Sequence, residues 1–274
     1  MTARLYGHLV CGCGAFAPSD DHFNRCRCCE EEVPFFTDAW QLSQLDTTPS
    51  GARGNPTSPD LVWGSADERS RRLPVRLAAV SHLTRTAGGR RSTGADVAGG
   101  SGQCLADLAA PFERFLHMDL SWQALAHAHK GHADREGIVY VQHDLRAAKP
   151  AVRGVDVAYA IDTLVYPGDF VPRTLASAAR LHSPDGVLIA EFTSRFRSSV
   201  AHCVKGARWN GPRMTFSRRS ARAVAQAAGL VVEGEFQLFK ELPFSASLWL
   251  HRTGLAKPLA GLSTWFYLLL RRAR

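Results

Sequence analysis

The sequence predicts an α/β fold: a seven-stranded, mostly parallel sheet with helices on both faces, preceded by a small cysteine-rich segment. Three observations predict it. From Thr93 to His251 short apolar runs alternate with helix-length stretches, the pattern of a strand–helix–strand series. A glycine cluster, Gly99-Gly100-Ser101-Gly102, falls between the first such run and the first such helix, where the backbone must turn tightly. Five of the seven cysteines crowd between Cys11 and Cys29, while Cys104 and Cys203 stand alone.

In chain order, residues 1–45 form the cysteine-rich segment, which contains the apolar run Val33-Pro34-Phe35-Phe36. Residues 46–64 read as a linker, because three prolines and two glycines lie between Asp46 and Asp60. Residues 65–274 form the α/β domain. It opens with a helix over about Ala66–Thr86, which Pro74 is expected to break or kink. Strands follow near Ala95–Ala98, Phe115–Met118, Ile138–Gln142, Val155–Ala160, Val187–Phe192, Leu230–Leu238 and Ala246–His251. Helices are expected at about 103–110, 121–130, 171–182 and 217–228. The first five strands alternate with helices and should pair in parallel. The last two, joined by a loop alone, should form an antiparallel pair at one edge. The run Leu262–Leu270 before Arg271-Arg272 reads as a terminal helix packed on the domain, with a membrane-surface anchor as the alternative.

Hydrophobic residues make up 45% and charged residues 21%, which excludes a disordered chain. No run reaches the roughly 18–20 apolar residues of a membrane span. Met1–Val10 lacks the apolar core of a secretory signal, so a cytoplasmic protein is expected. The net charge of +8 is carried by one segment: Arg195, Arg197, Lys205, Arg208, Arg213, Arg218, Arg219 and Arg222 stand there with no Asp or Glu among them. Such a patch suits an anionic partner, either a carboxylate or phosphate on a small substrate or a nucleic-acid backbone; a solvated face is the alternative.

The chemistry concentrates around the glycine cluster. Asp96 and Ala98 precede it, and Asp119 ends the second strand, where a carboxylate can accept hydrogen bonds from two ribose hydroxyls. Asp144 follows the third strand, placed to accept from an adenine amino group. The spacing after Gly102 departs from the longer dinucleotide fingerprint and so argues against a dinucleotide. Asp96 with Gly100 and Gly102, Asp119, Asp144 and the fourth-strand segment Val155–Leu164 together resemble the class I S-adenosylmethionine (SAM)-dependent methyltransferases. That resemblance implies a Rossmann-like sheet and SAM as cofactor. It further implies a SAM site of Asp96, Ala98, Gly99, Gly100, Ser101, Gly102, Asp119, Leu120, Asp144, Leu145 and Ile161. Ala98 stands where the family usually has glycine, a tolerable change if the position needs no positive φ.

Methyl transfer requires the acceptor on the methyl axis more than it requires a catalytic group. Acceptor-side candidates lie at the carboxyl ends of the later strands: Asp162, Tyr166 and Glu191 for catalysis, Arg195 and Arg208 for substrate binding, with His202 nearby. Glu191 reads either as a buried carboxylate with a raised pKa or as an end-of-strand hydrogen-bonding group. His127, His129 and His132 read as a solvated helix end. Ala160–Pro167 lacks the Asn/Asp-Pro-Pro-aromatic run the family uses on the amines of bases, so the expected acceptor is a small anionic metabolite. RNA, or a SAM-fold enzyme of non-methylating chemistry, is the alternative.

Cys11-Gly-Cys13 and Cys26-Arg-Cys28-Cys29 resemble an irregular zinc ribbon. Cys11, Cys13, Cys26 and Cys29 are the expected ligands of one structural Zn²⁺, with Cys28 spare and His8 or His22 as substitutes. A ribbon ahead of such a domain also resembles certain ribosomal-RNA guanine methyltransferases.

Overall fold

The structure is a computed structural model. It describes residues 16–18, 23–26, 32–34, 66–89, 91–119, 122–132, 134–142, 154–164, 170–195, 214–239, 242–259 and 262–273. Three short strands, β1 (Phe16–Pro18), β2 (Phe23–Cys26) and β3 (Glu32–Pro34), form an antiparallel sheet of their own. The α/β domain runs α1 (Ala66–Ala87), β4 (Thr93–Val97), α2 (Leu105–Ala109), β5 (Arg114–Asp119), α3 (Trp122–Gly131), β6 (Ile138–Gln142) and β7 (Val155–Ala160). It continues with α4 (Phe170–Leu181), β8 (His182–Thr193), α5 (Arg218–Ala227), β9 (Leu230–Leu238), α6 (Phe244–Arg252) and β10 (Trp265–Arg272).

The seven strands are ordered β6-β5-β4-β7-β8-β10-β9, and β10 alone runs against the others. Strand order reverses between β4 and β7, which opens a crevice beyond the carboxyl ends of those two strands. β4 is buried along its whole length, as an inner strand of a covered parallel sheet must be. Gly94 is required there, because a Cβ would stand 2.7 Å from the Phe115 ring and 2.8 Å from Phe112.

Apolar side chains fill both faces of the sheet. Val171, Leu175 and Ala178 of α4 and Ala221 and Ala225 of α5 cover one face. Ala79, Val80 and Leu83 of α1, with Leu105, Leu108, Leu125 and Ala128, cover the other; Phe244 and Leu248 of α6 pack beside them. The sheet with helices on both faces is therefore as the sequence predicts. Among the described residues no helix is long and apolar enough to cross a membrane.

Three readings need correction. Leu262–Leu270 is not a terminal helix: Trp265–Arg272 is strand β10, inserted between β8 and β9. Its side chains alternate between the two cores, with Phe266, Leu268 and Leu270 in one and Trp265, Tyr267 and Leu269 in the other. A continuous apolar run is what a strand buried on both faces needs, whereas a surface helix would show a polar stripe. Ala246–His251 is not a strand but part of α6, where Ser247 and Leu250 are buried and Trp249 is exposed. The antiparallel pair at the edge is real, but its partners are β9 and β10. Finally, Pro74 does not break α1, which runs on through it; Pro74 is exposed, so the ring and the missing N–H lie on the solvent side.

Consecutive residues of β10 should both be costly to truncate. Leu268→Ala and Leu269→Ala are each expected to lose about 2–4 kcal/mol in urea unfolding, whereas a helix would bury one far more deeply than the other. Leu262→Ala, outside the strand, should change stability by less than about 0.5 kcal/mol.

Candidate active site

β4 ends beneath the glycine cluster, and the backbone there leaves the ordinary regions at once. Ala98 has φ 59°, Gly100 φ 57° and Gly102 φ 78°. The condition under which Ala98 would be harmless is not met: a non-glycine residue in the left-handed region costs about 1–2 kcal/mol. The turn is fixed by Gly99 N–H donating to the Met118 carbonyl at 3.0 Å and by Gly100 N–H donating to Asp119 Oδ2 at 2.9 Å. Gly102 approaches α3 so closely that a Cβ would stand 2.8 Å from the Ala128 Cβ.

Below the turn lies a buried polar pair that the motif reading did not single out. Asp96 and His117 are register partners across β4 and β5 and lie on the same face of the sheet. His117 Nδ1 stands 3.5 Å from Asp96 Oδ2, an ion-pair separation, and its Nε2 is 2.9 Å from the Gly100 carbonyl. Nε2 is hydrogen-bonded, and Nδ1, which has no hydrogen bond, lies at ion-pair distance from a carboxylate, an arrangement that favours the protonated ring. Burial works against the charge, but the Asp96 carboxylate, the Gly100 carbonyl and Asp119 together hold the His117 pKa above its ordinary 6.5. Gly99 roofs the pair, and a Cβ there would overlap Asp96 Oδ2 and His117 Cε1. The sequence signal was a histidine inside the apolar strand Phe115-Leu-His-Met118, one strand away from an aspartate.

The three histidines of α3 and its end do not share one solvated face. His127 is exposed, but His129 packs against Tyr140 with ring centroids 5.1 Å apart. His132 brings Nε2 to 3.1 Å from the Gly102 carbonyl, because the chain leaving α3 returns over the glycine turn. No group of three metal-ligating side chains occurs among the described residues.

On the other side of the crevice Asp162 follows β7 with φ 57°, a conformation that aspartate tolerates better than most residues. Thr163 Oγ1 donates to the Val97 carbonyl at 3.0 Å and ties this loop to the end of β4. Glu191, near the end of β8, is 2% exposed and engaged on both oxygens. Arg76 of α1 donates to Oε1 at 2.5 Å and to Oε2 at 2.9 Å, and Tyr267 of β10 donates to Oε2 at 2.8 Å. Of the two roles expected for Glu191, this geometry favours the hydrogen-bonding one. Arg76 also lies 3.8 Å from Asp162 Oδ1 and 5.4 Å above the Trp265 ring. Burial alone would lower the Arg76 pKa, but Glu191, Asp162 and Tyr267 hold it above its ordinary value. Burial and then Glu191 push the Tyr267 phenol far up, so it stays a donor, and burial likewise pushes up the Cys104 thiol. Arg76 and Tyr267 were missed because nothing local marks them; chain folding alone brings them to Glu191.

Asp96, Ala98, Gly99, Gly100, Ser101, Gly102 and Asp119 therefore stand together at the carboxyl ends of β4 and β5, with Ile161 and Asp162 just past the end of β7. Leu120, Asp144, Leu145, Tyr166, Arg208, His202, Cys11, Cys13 and Cys29 lie outside the described residues. Arg195, just past β8, is exposed. In the basic segment, Arg218 and Arg222 both pair with Glu235, the latter at 2.8 Å, so part of its charge is already neutralised within the fold.

Residues 95–190 match the family model described as a methyltransferase domain. No curated protein sequence matches the chain. Among solved structures the chain resembles an S-adenosylmethionine-dependent methyltransferase from Clostridium acetobutylicum at 10% identity, covering 73% of this chain and 92% of that one with a TM-score of 0.53. It resembles magnesium protoporphyrin IX methyltransferase from Synechocystis PCC 6803, solved with bound SAH, at 14% identity, 76% and 88% coverage and a TM-score of 0.55. The [4+2]-cyclase SpnF is similar at 18% identity, 72% and 82% coverage and a TM-score of 0.51. The α/β domain of this chain thus has the fold of the SAM-dependent methyltransferases, with the methyltransferase-domain match spanning its glycine turn, Asp119 and Asp162.

Proposed function

We propose that the chain is a SAM-dependent methyltransferase acting on a small anionic metabolite. The observation that carries this reading is the glycine turn seated on Asp119 at the carboxyl ends of β4 and β5. The residues fit SAM. A Cβ at Gly100 would meet nothing within 4 Å, so there is room above the turn for a ligand. Asp119 has the acceptor chemistry that a ribose diol needs. Asp96, Ala98, Gly99, Ser101, Gly102 and Ile161 complete the described part of the SAM site, and Leu120, Asp144 and Leu145 would extend it.

Bound SAM supplies an electrophilic methyl group on a positively charged sulfonium. The work left to the chain is to orient the acceptor and exclude water. Asp162, held by its loop and by Arg76, is the acceptor-side carboxylate, with Tyr166 beside it in sequence. Arg195 and Arg208 supply the positive charge that an anionic acceptor calls for. Glu191 acts here by fixing Arg76. A second reading, SAM-fold chemistry other than methyl transfer, is favoured by the structural likeness to a cyclase. The pairing of Arg218 and Arg222 with Glu235 speaks against a phosphate-backbone tract and so against RNA.

For the front segment, the reading is a structural zinc on Cys11, Cys13, Cys26 and Cys29. The β1–β2 register pairs Phe16 with Cys26, so the chain enters β1 and leaves β2 at one end of the hairpin. A four-thiolate site drawing on both flanks suits that arrangement. Reduced thiolates of this kind are at home in the cytoplasm.

Four measurements test these readings. Calorimetric titration should show saturable binding of SAM and S-adenosylhomocysteine, with Asp119→Ala weakening both by about 1–3 kcal/mol while the protein stays folded; unchanged affinity would remove the assigned site. SAM bound but never consumed across acidic metabolites would favour the second reading. His117 predicts a pH dependence of definite sign. Its folded pKa is raised, so its contribution is complete below the ordinary 6.5 and is lost as pH rises through the raised value. Thermal stability and SAM affinity of the native protein should fall as pH rises above the ordinary histidine value, and His117→Asn should flatten that slope. Metal analysis of the reduced, purified protein should find about one zinc per chain.

A further inference from the structure

The 26 positions between β9 and β10, residues 239–264, form an insert that the proposed chemistry does not use. β9 ends and β10 begins at the carboxyl edge of the sheet, where Thr264 N–H donates to the Leu238 carbonyl at 3.0 Å. The insert therefore stands on the same edge as the glycine turn, Asp119 and Asp162. It has a small core of its own, formed by Phe239, Leu250 and Ala256. α6 is moored to the domain through Phe244 and Leu248, and His251 stacks on Phe236 with centroids 4.2 Å apart. The insert is thus a built surface on a fixed base.

What it presents outward is apolar. Among the described residues six large hydrophobic side chains are exposed, and five of them, Leu242, Trp249, Leu255, Leu259 and Leu262, belong to this insert. Scattered single exposures are ordinary, but such a concentration in one short segment marks an interaction surface. Trp249 is 56% exposed and Leu262 52%, so neither is filling a partial gap in the core. Arg252 and Lys257 are exposed within the same segment, and no Asp or Glu occurs anywhere from Leu242 to Arg274.

We propose that residues 242–259 together with Leu262 are a docking surface for an anionic lipid bilayer. Exposed tryptophan and leucine side chains enter the interfacial layer, and the tryptophan ring is suited to the headgroup level. The two cations, set against the single carboxylate of the insert, Glu241, complement acidic headgroups. The buried strand β10 takes no part: the apolar run Trp265–Leu270 belongs to the core, and the lipid-facing side chains precede it. Docking would turn the edge that carries the crevice toward the bilayer. The inference does not rest on the proposed methyl transfer.

The test is flotation of the full chain with vesicles of phosphatidylcholine alone and with about a third phosphatidylglycerol. Partitioning to the anionic vesicles should exceed that to neutral ones by at least about tenfold and weaken in high salt. Trp249→Ser with Leu255→Ser should abolish it, and Arg252→Glu or Lys257→Glu should each reduce it about fivefold. The proposal is overturned if the native protein partitions to neither vesicle, or if the Trp249→Ser and Leu255→Ser chain partitions as the native one does. It is equally overturned if the native protein is a dimer that Trp249→Ser splits, since a second copy would then occupy the face. A fall of more than about 5 °C in melting temperature for Trp249→Ser would place the side chain under the chain's own cover and overturn it as well.

Discussion

The active-site edge is organised around a place where a side chain cannot be. Gly99 lies over the Asp96–His117 pair so closely that even a methyl group would overlap both residues. Because Gly99 is bare, the imidazolium can sit beneath the turn and reach the Gly100 carbonyl, while Asp119 takes the Gly100 N–H from the other side. One peptide unit on each side of Gly100 is thereby held by a charged group. A turn held in one shape loses little entropy in binding a ligand. The pair also favours the charged form of a histidine shut off from water: Asp96, the Gly100 carbonyl and Asp119 raise its pKa against the opposing effect of burial.

The opposite wall of the crevice is built on the same logic with larger parts. Arg76 brings a full charge in from α1, and burial of that charge is tolerable only because Glu191 meets it on both oxygens, Tyr267 adds a third hydrogen bond and Asp162 lies nearby. Residues Val187, Ile189 and Glu191 share one face of β8, so a carboxylate at 191 necessarily points into the layer where α1 packs. The cluster joins α1, β7, β8 and β10, four elements far apart in sequence. Removing Glu191 would leave a buried guanidinium uncompensated, at a cost of about 3–5 kcal/mol, before any catalytic loss was felt. An activity loss in a Glu191 variant therefore reads first as loss of Arg76 and the wall it supports.

Legibility in the sequence followed the range of the interactions. The glycine turn, Asp96 and Asp119 were readable because a strand–turn–helix unit and its next strand are local, and their spacing survives into structure. The parallel strands were readable for the same reason. His117 was half readable: its apolar surroundings marked it as buried, but only the β4–β5 register shows that it faces Asp96. Arg76 and Tyr267 gave no signal, since each looks ordinary within its own element. β10 and α6 were exchanged because a short apolar run fits a strand or a buried helix equally well by periodicity. What separates them is the antiparallel slot between β8 and β9, a property of the assembled sheet.

Ala98 shows where the two levels conflict. The sequence departs from the family's glycine at this position, yet the backbone keeps the left-handed conformation that glycine would take freely, at φ 59°. The turn cannot relax to suit alanine, because Gly99 is tied to Met118 and Gly100 to Asp119 and His117 just beyond it. Three hydrogen bonds outweigh a local preference of about 1–2 kcal/mol. Asp162 repeats the pattern across the crevice at φ 57°, with Thr163 tied to the end of β4 at its neighbour. Backbone strain on both walls of one crevice, each instance enforced by contacts that cross between strands, is how a site keeps a shape that its own residues would not choose.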